Sequence, residues 1–474
     1  MTLLCATLLG LAATALATKL EARASSTSSA TATSSGSLPA ITITGNAFYS
    51  GSDRFYIRGI DYQPGGSSSP VDPLADYSTC SRDIPYFKQL GLNTIRVYTV
   101  DNSANHDQCM GALADAGIYL ALDINTPKYS LNRGDPSQSY NPTYLQSIFA
   151  TVDAFAGYSN TLLFFSGNEV INAQNTTTAA PYIKAVTRDM KQYISERGYR
   201  KIPVGYSAAD VSQNQYSTAQ YMDCGEAQTI SDFYAINNYE WCDPSSFSQA
   251  GWDTLVQQYS NYSLPLFFSE YGCITNTRTF AETTALYQTD MTAVFSGGLV
   301  YQYSEEGAGY GIVSISGNTV TPIGSQFSDL QSALNSTSNP SGNGGAQTSS
   351  GSEQSCPASS ADWSISPFTG NALPATPSGA EQYFKSGAGT GPGLTGSGSQ
   401  NSGGGSTVTA SAGAGSATAT YGSGSASGTS SASASASHTG AAWSLKSREA
   451  GGVGAVGFGV VVGLSFLFGA ALMY

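Results

Sequence analysis

Leu162-Leu163-Phe164-Phe165-Ser166-Gly167-Asn168-Glu169 is an apolar run that ends abruptly in a carboxylate, and Leu266-Phe267-Phe268-Ser269-Glu270-Tyr271-Gly272 repeats the pattern. Runs this short and this apolar read as strands buried on both faces, the kind found in parallel sheets. Working outward, six more such runs appear: Phe55–Tyr62, Asn93–Val100, Ile118–Ile124, Lys201–Ala208, Phe233–Glu240 and Gly298–Glu306. Helix-length intervals separate all eight, which indicates repeated βα units. Eight units within ~250–300 residues is the count of a closed (β/α)8 TIM barrel, an α/β fold. A doubly wound open sheet is the competing architecture. No G-x-G-x-x-G follows the first strand, and the match at Gly452–Gly457 lies in the hydrophobic C-terminal tail.

The flanks of the barrel differ in composition. Residues 1–17 are small and apolar and close with Ala15-Leu16-Ala17, the pattern of a cleaved signal peptide. A Ser/Thr-rich linker, 18–37, leads into the catalytic domain, 38–335. A tether, 336–385, contains Cys356 and must fold back if that cysteine is paired. Residues 386–445 hold no Asp, Glu, Lys or Arg and are mostly Ser, Gly, Ala and Thr, which reads as a disordered, low-complexity stalk. Small residues at Gly440-Ala441-Ala442, a polar spacer and the apolar tail ending 446–474 have the grammar of a GPI-anchor signal, with Gly440 as the attachment candidate. A C-terminal membrane span is the alternative for that tail. Together the two ends imply a secreted protein held on the outer leaflet of the plasma membrane and in the cell wall.

Charge narrows the function. Charged residues are 11% of the chain and the formal net charge is −13, which argues against nucleic acid as a partner. His106 and His438 are the only histidines, so neither a Ser-His-Asp triad nor a His-built metal site is expected, and no cofactor is assigned. His106, just before Cys109, reads as structural. With Cys5 lost in the leader, Cys80, Cys109, Cys224, Cys242, Cys273 and Cys356 remain, an even set that suits disulfides in a secreted chain, with every connectivity open. Sequons at Asn175, Asn261 and Asn335 are candidate N-glycan sites. The chain is expected to act as a monomer.

Barrel enzymes carry their chemistry at the C-terminal ends of the strands. Those ends read Asp61-Tyr62-Gln63, Arg96-Val97-Tyr98, Asp123, Asn168-Glu169, Asp210, Asn238-Tyr239-Glu240, Glu270-Tyr271 and Tyr301–Glu306. Glu169 and Glu270 stand on the fourth and seventh strands, nearly across the barrel from each other. Two facing carboxylates are the toolkit for breaking a glycosidic bond: one protonates the leaving oxygen and the other attacks the anomeric carbon. The chain holds 29 Tyr, several of them at strand ends, and tyrosine rings stack on sugars while their hydroxyls bond to sugar edges.

Asn168-Glu169 and Glu270-Tyr271-Gly272 resemble the retaining clan-A glycosidase pattern. More narrowly, Gly59-Ile60-Asp61-Tyr62-Gln63-Pro64-Gly65-Gly66, Asn93-Thr94-Ile95-Arg96-Val97-Tyr98, His106-Asp107-Gln108-Cys109-Met110 and Ser269-Glu270-Tyr271-Gly272-Cys273 resemble the fungal β-1,3-glucanosyltransferases of glycoside hydrolase family 72. The resemblance runs from about residue 38 to Cys356. It implies Glu169 as acid/base and Glu270 as nucleophile. It implies that Tyr98, the segment Asn125–Arg133, Asn168, Tyr239 and Tyr301 hold the donor glucan, and that Asp210 binds the acceptor. Gln215 stands where the family pattern places an arginine on the acceptor side. The disulfides implied are Cys80–Cys109, Cys224–Cys356 and Cys242–Cys273. With no cysteine beyond Cys356, the chain resembles the subgroup without a cysteine-rich carbohydrate-binding module.

The activity implied is elongation of wall β-1,3-glucan: cleavage of an internal linkage through a glycosyl-enzyme on Glu270, then transfer of the new reducing end to the non-reducing end of a second chain. Donor and acceptor glucans and a GPI lipid are thus the expected partners. The alternatives are an endo-β-1,3-glucanase that only hydrolyses, and a non-catalytic wall protein that only binds glucan.

Overall fold

The computed structural model describes residues 38–349, 351–365, 372–406 and 409–411. An antiparallel sheet comes first, of β1 (Ile41–Thr44), β2 (Ala47–Ser50) and β3 (Asp53–Phe55). Eight parallel strands follow and close on themselves: β4 (Ile57–Asp61), β5 (Thr94–Val97), β6 (Tyr119–Asp123), β7 (Thr161–Asn168), β8 (Val204–Ala208), β9 (Phe233–Asn238), β10 (Leu266–Tyr271) and β11 (Phe295–Val300). β11 pairs with β4, Gly297 opposite Ile57, which seals the cylinder. The expected TIM barrel is therefore present and the open doubly wound sheet is not.

The core has two layers. Inside the cylinder, Phe165, Phe233 and Phe267 pack ring on ring, with centroids 5.4–6.1 Å apart. Phe48 of β2 reaches the same cluster, 5.9 Å from Phe267, so the N-terminal sheet plugs one end of the barrel. Each buried ring contributes about 1.5–3 kcal/mol relative to exposure. The outer layer lies between strands and helices. Helix Pro142–Phe155 buries Leu145, Ile148, Phe149, Val152 and Phe155 on one face; Asn141 caps it by accepting the Tyr144 amide at 2.9 Å, and Pro142 occupies the first turn, where no amide donor is needed.

Seven of the eight strands fall where the apolar runs place them. The last differs: β11 ends at Val300, before the run expected over Gly298–Glu306 is half complete. Gly297 and Gly298 pair with Ile57 and Arg58 as strand residues, and 297 requires glycine because a Cβ there (φ +90°) would lie 2.2 Å from the Ile57 carbonyl oxygen. The polar stretch after Val300 is loop, leading to a hairpin of β12 (Val313–Ser316) and β13 (Thr319–Pro322) and to helix Gln326–Ser336.

The three disulfides are Cys80–Cys109, Cys224–Cys356 and Cys242–Cys273, the pairs implied by the family resemblance. The tether does fold back: Gln347 exchanges hydrogen bonds with Asn46 at 3.2 and 2.9 Å before the chain reaches Cys356. The expected boundary of the stalk requires correction. Residues 386–406 are seated against the barrel, and β14 (Ala372–Pro374) pairs with β15 (Thr409–Ser411). The composition argument weighed only apolar side chains; this segment is held instead by barrel side chains bonding its backbone, such as Gln146 to the carbonyls of Ala388 and Thr390. The leader 1–17, the linker 18–37, Gly440, the rest of the stalk and the tail 446–474 lie outside the described residues. Among the described residues no helix is long and apolar enough to cross a membrane.

Candidate active site

Both strands that carry the candidate carboxylates lose register just before them. β7 slips against β8 between Phe165 and Gly167, and β10 slips against β9 between Phe268 and Glu270. Such irregularities break the strict alternation of faces and re-aim the following side chains. Glu169 then takes a left-handed conformation (φ +49°), which is uncommon for a residue with a Cβ and is held by its amide donating to the Ser207 carbonyl at 2.9 Å.

A polar network joins the two strands. Asn237 of β9 donates from Nδ2 to Glu169 Oε1 at 2.7 Å and to Asn168 Oδ1 at 3.3 Å. Asn237 Oδ1 accepts from Ser269 Oγ at 2.8 Å, and Ser207 Oγ, which donates to Asn168 Oδ1 at 2.7 Å, lies 3.2 Å from the same Asn237 oxygen. Asn168 and Glu169 are half-buried, so the carboxylate is fixed yet reachable.

Glu270 is buried and triply held. Oε1 accepts from Arg96 Nη1 at 3.1 Å and from the Tyr98 hydroxyl at 2.9 Å, while Oε2 accepts from the Tyr239 hydroxyl at 2.6 Å. Burial pushes its carboxyl up to about 7, against Arg96 and the two phenols, which favour the anion; the nearby Glu169 charge adds to the rise. Arg96 itself is fixed by Asp123, with contacts of 2.8 and 3.2 Å, and its guanidinium lies over the Tyr98 and Phe165 rings. Asp61 completes the group. It is fully buried with neither oxygen hydrogen-bonded among the described residues, and burial raises its carboxyl well above the usual range. One guanidinium thus faces three buried carboxyl groups, Asp61, Asp123 and Glu270, and burial raises all three while the Arg96 charge opposes the rise.

The other candidates gather around this centre. Tyr98, Asp123, Asn125, Ser130, Leu131, Ser166, Asn168 and Val170 line one cleft. Asn125 donates to the Ser166 carbonyl at 3.3 Å and accepts from the Tyr144 hydroxyl at 2.7 Å, so its amide also braces the cleft wall. Arg133 is half-buried further along the same loop. Tyr301 packs edge-on against Tyr98 and Tyr239, 6.5 and 6.3 Å away. Asp210, beyond β8, accepts the Tyr239 amide at 3.0 Å, and burial pushes its carboxyl up to about 7. Gln215 is buried and turned toward the Ala209 carbonyl at 3.4 Å. His106 pairs with Asp72 at 2.7 Å under Phe155, a structural contact. Asn175, Asn261 and Asn335 are exposed.

Sequence reasoning gave no role to Arg96, Asp61, Asp123, Asn237, Ser207, Ser269 or Tyr310. A signal existed for the first three: a charge inside an apolar strand is buried and must be matched by partners. The Asn–Ser network carried no such signal. Tyr310, 5.2 Å from the Tyr301 ring and 5.7 Å from Tyr239, sits in a glycine-rich loop that composition marks only as a turn.

Comparison with known proteins comes to the same place. The profile of the glucanosyltransferase family, glycoside hydrolase 72, matches residues 30–338. The chain is 61% identical over 350 residues to the 1,3-beta-glucanosyltransferase gel1 of Aspergillus fumigatus, covering 74% of this chain and 76% of that one. It is 52% identical to the 1,3-beta-glucanosyltransferase GAS5 of Saccharomyces cerevisiae, over 76% and 75% of the two chains. Among solved structures it is similar to a point mutant of Saccharomyces cerevisiae Gas2p in complex with laminaritetraose and laminaripentaose, with 39% identity, a TM-score of 0.64, and 69% of this chain and 73% of that one covered.

Proposed function

The chain belongs to the glucanosyltransferase family of glycoside hydrolases, and from that premise we propose that it lengthens β-1,3-glucan with retention of configuration, Glu270 serving as nucleophile and Glu169 as acid and base. The observation that carries this reading is the pair itself. Glu270 is gripped by Arg96, Tyr98 and Tyr239, Glu169 is held by Asn237, and both stand at the C-terminal ends of barrel strands.

In the first step a Glu270 oxygen attacks the anomeric carbon of an internal glucose. The bond from that carbon to the bridging oxygen breaks, Glu169 gives its proton to the departing oxygen, and the reducing-end fragment leaves as an alcohol. Arg96 and the two phenols favour the anionic form of the nucleophile, the form that bonds. In the second step Glu169, now a carboxylate, takes the proton from the 3-hydroxyl at the non-reducing end of another glucan. That oxygen attacks the anomeric carbon and the ester to Glu270 breaks. The sum is one β-1,3 bond broken and one made.

Transfer, rather than hydrolysis, needs an acceptor sugar oriented well enough to outcompete water. Relatives at 52–61% identity named 1,3-beta-glucanosyltransferases support that outcome. Tyr98, Asn125, Arg133, Asn168, Tyr239 and Tyr301 are assigned to the donor glucan, and Asp210 to the acceptor. Secretion and a GPI lipid at or near Gly440 fit three disulfides and exposed sequons. Incubation with a defined β-1,3-gluco-oligosaccharide tests the whole: products longer than the substrate are expected. Products that are only shorter would make the protein a hydrolase, and no products would make it a binder.

A further inference from the structure

The loop that follows β6 has two sides. Its inner side lines the cleft through Asn125, Ser130 and Leu131. Its outer side is held by residues 388–406, a stretch almost without apolar side chains. Lys128 Nζ donates to the carbonyls of Leu394 and Gly396 at 2.9 and 3.1 Å. The Ser399 amide donates to the Lys128 carbonyl at 2.9 Å, and Gln400 Nε2 donates to the carbonyl and hydroxyl of Ser130. The fit is close: a Cβ on Gly396 would lie 2.1 Å from the Tyr129 hydroxyl oxygen. The segment is anchored beyond the loop as well, with the Ala388 amide donating to the Tyr193 hydroxyl at 2.8 Å and the Ser399 carbonyl accepting from Asn141 at 2.7 Å.

We infer that residues 388–406 are a strap that sets the position of loop 125–131 against the cleft, and that they thereby govern affinity for the glucan strand bound there. The argument rests on the cleft being the donor-glucan site proposed above. Between Thr126 and Tyr129 the loop makes a reciprocal backbone pair of its own, at 3.1 and 3.0 Å, but Lys128 and Ser130 are fastened from outside. Releasing them frees the wall that a sugar chain would touch while leaving Glu169 and Glu270 on their strands. The strap residues are positioning residues, since none touches the reacting atoms.

Two variants of the full chain test this. Gly396→Val drives a side chain into Tyr129, and Gln400→Ala removes one clasp without adding bulk. The Kd for laminaripentaose is measured by calorimetry, KM and kcat by product analysis, and amide exchange over 126–131 by mass spectrometry. The expected result for Gly396→Val is a Kd and KM raised about three- to tenfold with kcat within about twofold, and faster exchange at 126–131. Gln400→Ala moves the same way by less, and decides the matter if Gly396→Val fails to fold. An unchanged Kd overturns the strap, whatever happens to kcat. So does a wild-type chain that does not bind laminaripentaose. A wild-type chain that binds it but makes no longer products sinks the transferase reading alone, and the Kd comparison still judges the strap.

Discussion

Arg96 on β5 reaches across the barrel to Glu270 on β10, Nη1 to Oε1 at 3.1 Å, while its other face is clasped by Asp123. Neither glutamate nor guanidinium is exposed, so the pair is a charge contact in a site from which water is largely excluded. That contact frames what substitution at the nucleophile will do. Gln at 270 keeps the shape and can still accept from Arg96, but it cannot form the ester. Turnover of Glu270→Gln is expected to fall by about a thousandfold or more, with laminaripentaose affinity retained. Appreciable activity in that variant would refute the assignment.

The Tyr239 hydroxyl donates to Glu270 at 2.6 Å and so favours the anion. Attack requires the anion, so kcat/KM is expected to fall as pH drops through the Glu270 pKa, about 7 in the free protein. Tyr239→Phe removes a donor that lowers this pKa, and its acid limb should therefore move to higher pH. A limb that stays put or moves lower contradicts the role given to Tyr239.

Glu305 folds the glycine-rich loop that carries Tyr310. Its carboxylate accepts the amides of Gly307, Gly309 and Gly311 at 2.7, 2.8 and 2.9 Å. Glu305→Ala is expected to cost about 1–3 kcal/mol of stability. Because Tyr310 packs on Tyr239 and Tyr301, KM should rise more than kcat falls. Steady-state kinetics beside thermal melts will tell, and an unchanged KM would count against the link.

Glu282 is buried with both oxygens unpartnered among the described residues, and burial raises its carboxyl from 4.5 to about 7. Well below pH 4.5 the acid is neutral in folded and unfolded chains alike, so Glu282→Gln should leave stability nearly unchanged there. As pH rises toward 7 the unfolded chain ionises while the folded one resists, and wild-type stability declines. The variant escapes that decline, gaining up to about 3 kcal/mol above pH 7. Melting curves at two pH values separate the two cases; an equal advantage at both would exclude titration as the cause.

The barrel was legible because parallel strands are apolar on both faces, so runs such as Leu162–Phe165 stand out against helical intervals. The two glutamates were legible because each interrupts such a run at its C-terminal end. Less visible was whatever depends on the approach of distant segments. Asn237 is one polar residue in a strand, and nothing in Phe233–Asn238 announces that its amide will bridge Glu169 and Ser269. Residues 388–406 misled for a related reason: their ordering comes from hydrogen bonds to partners some 250 residues earlier in the chain, such as Lys128 and Asn141, and not from apolar side chains of their own.

The register slips in β7 and β10 carry a lesson for engineering. Transplanting Asn168-Glu169 or Glu270-Tyr271 onto another eight-stranded scaffold would aim the carboxylates along whatever direction the host pleat dictates. A working graft must import the offset too: the Phe165–Gly167 and Phe268–Glu270 stretches, together with the neighbouring strands whose pairing absorbs the extra residue.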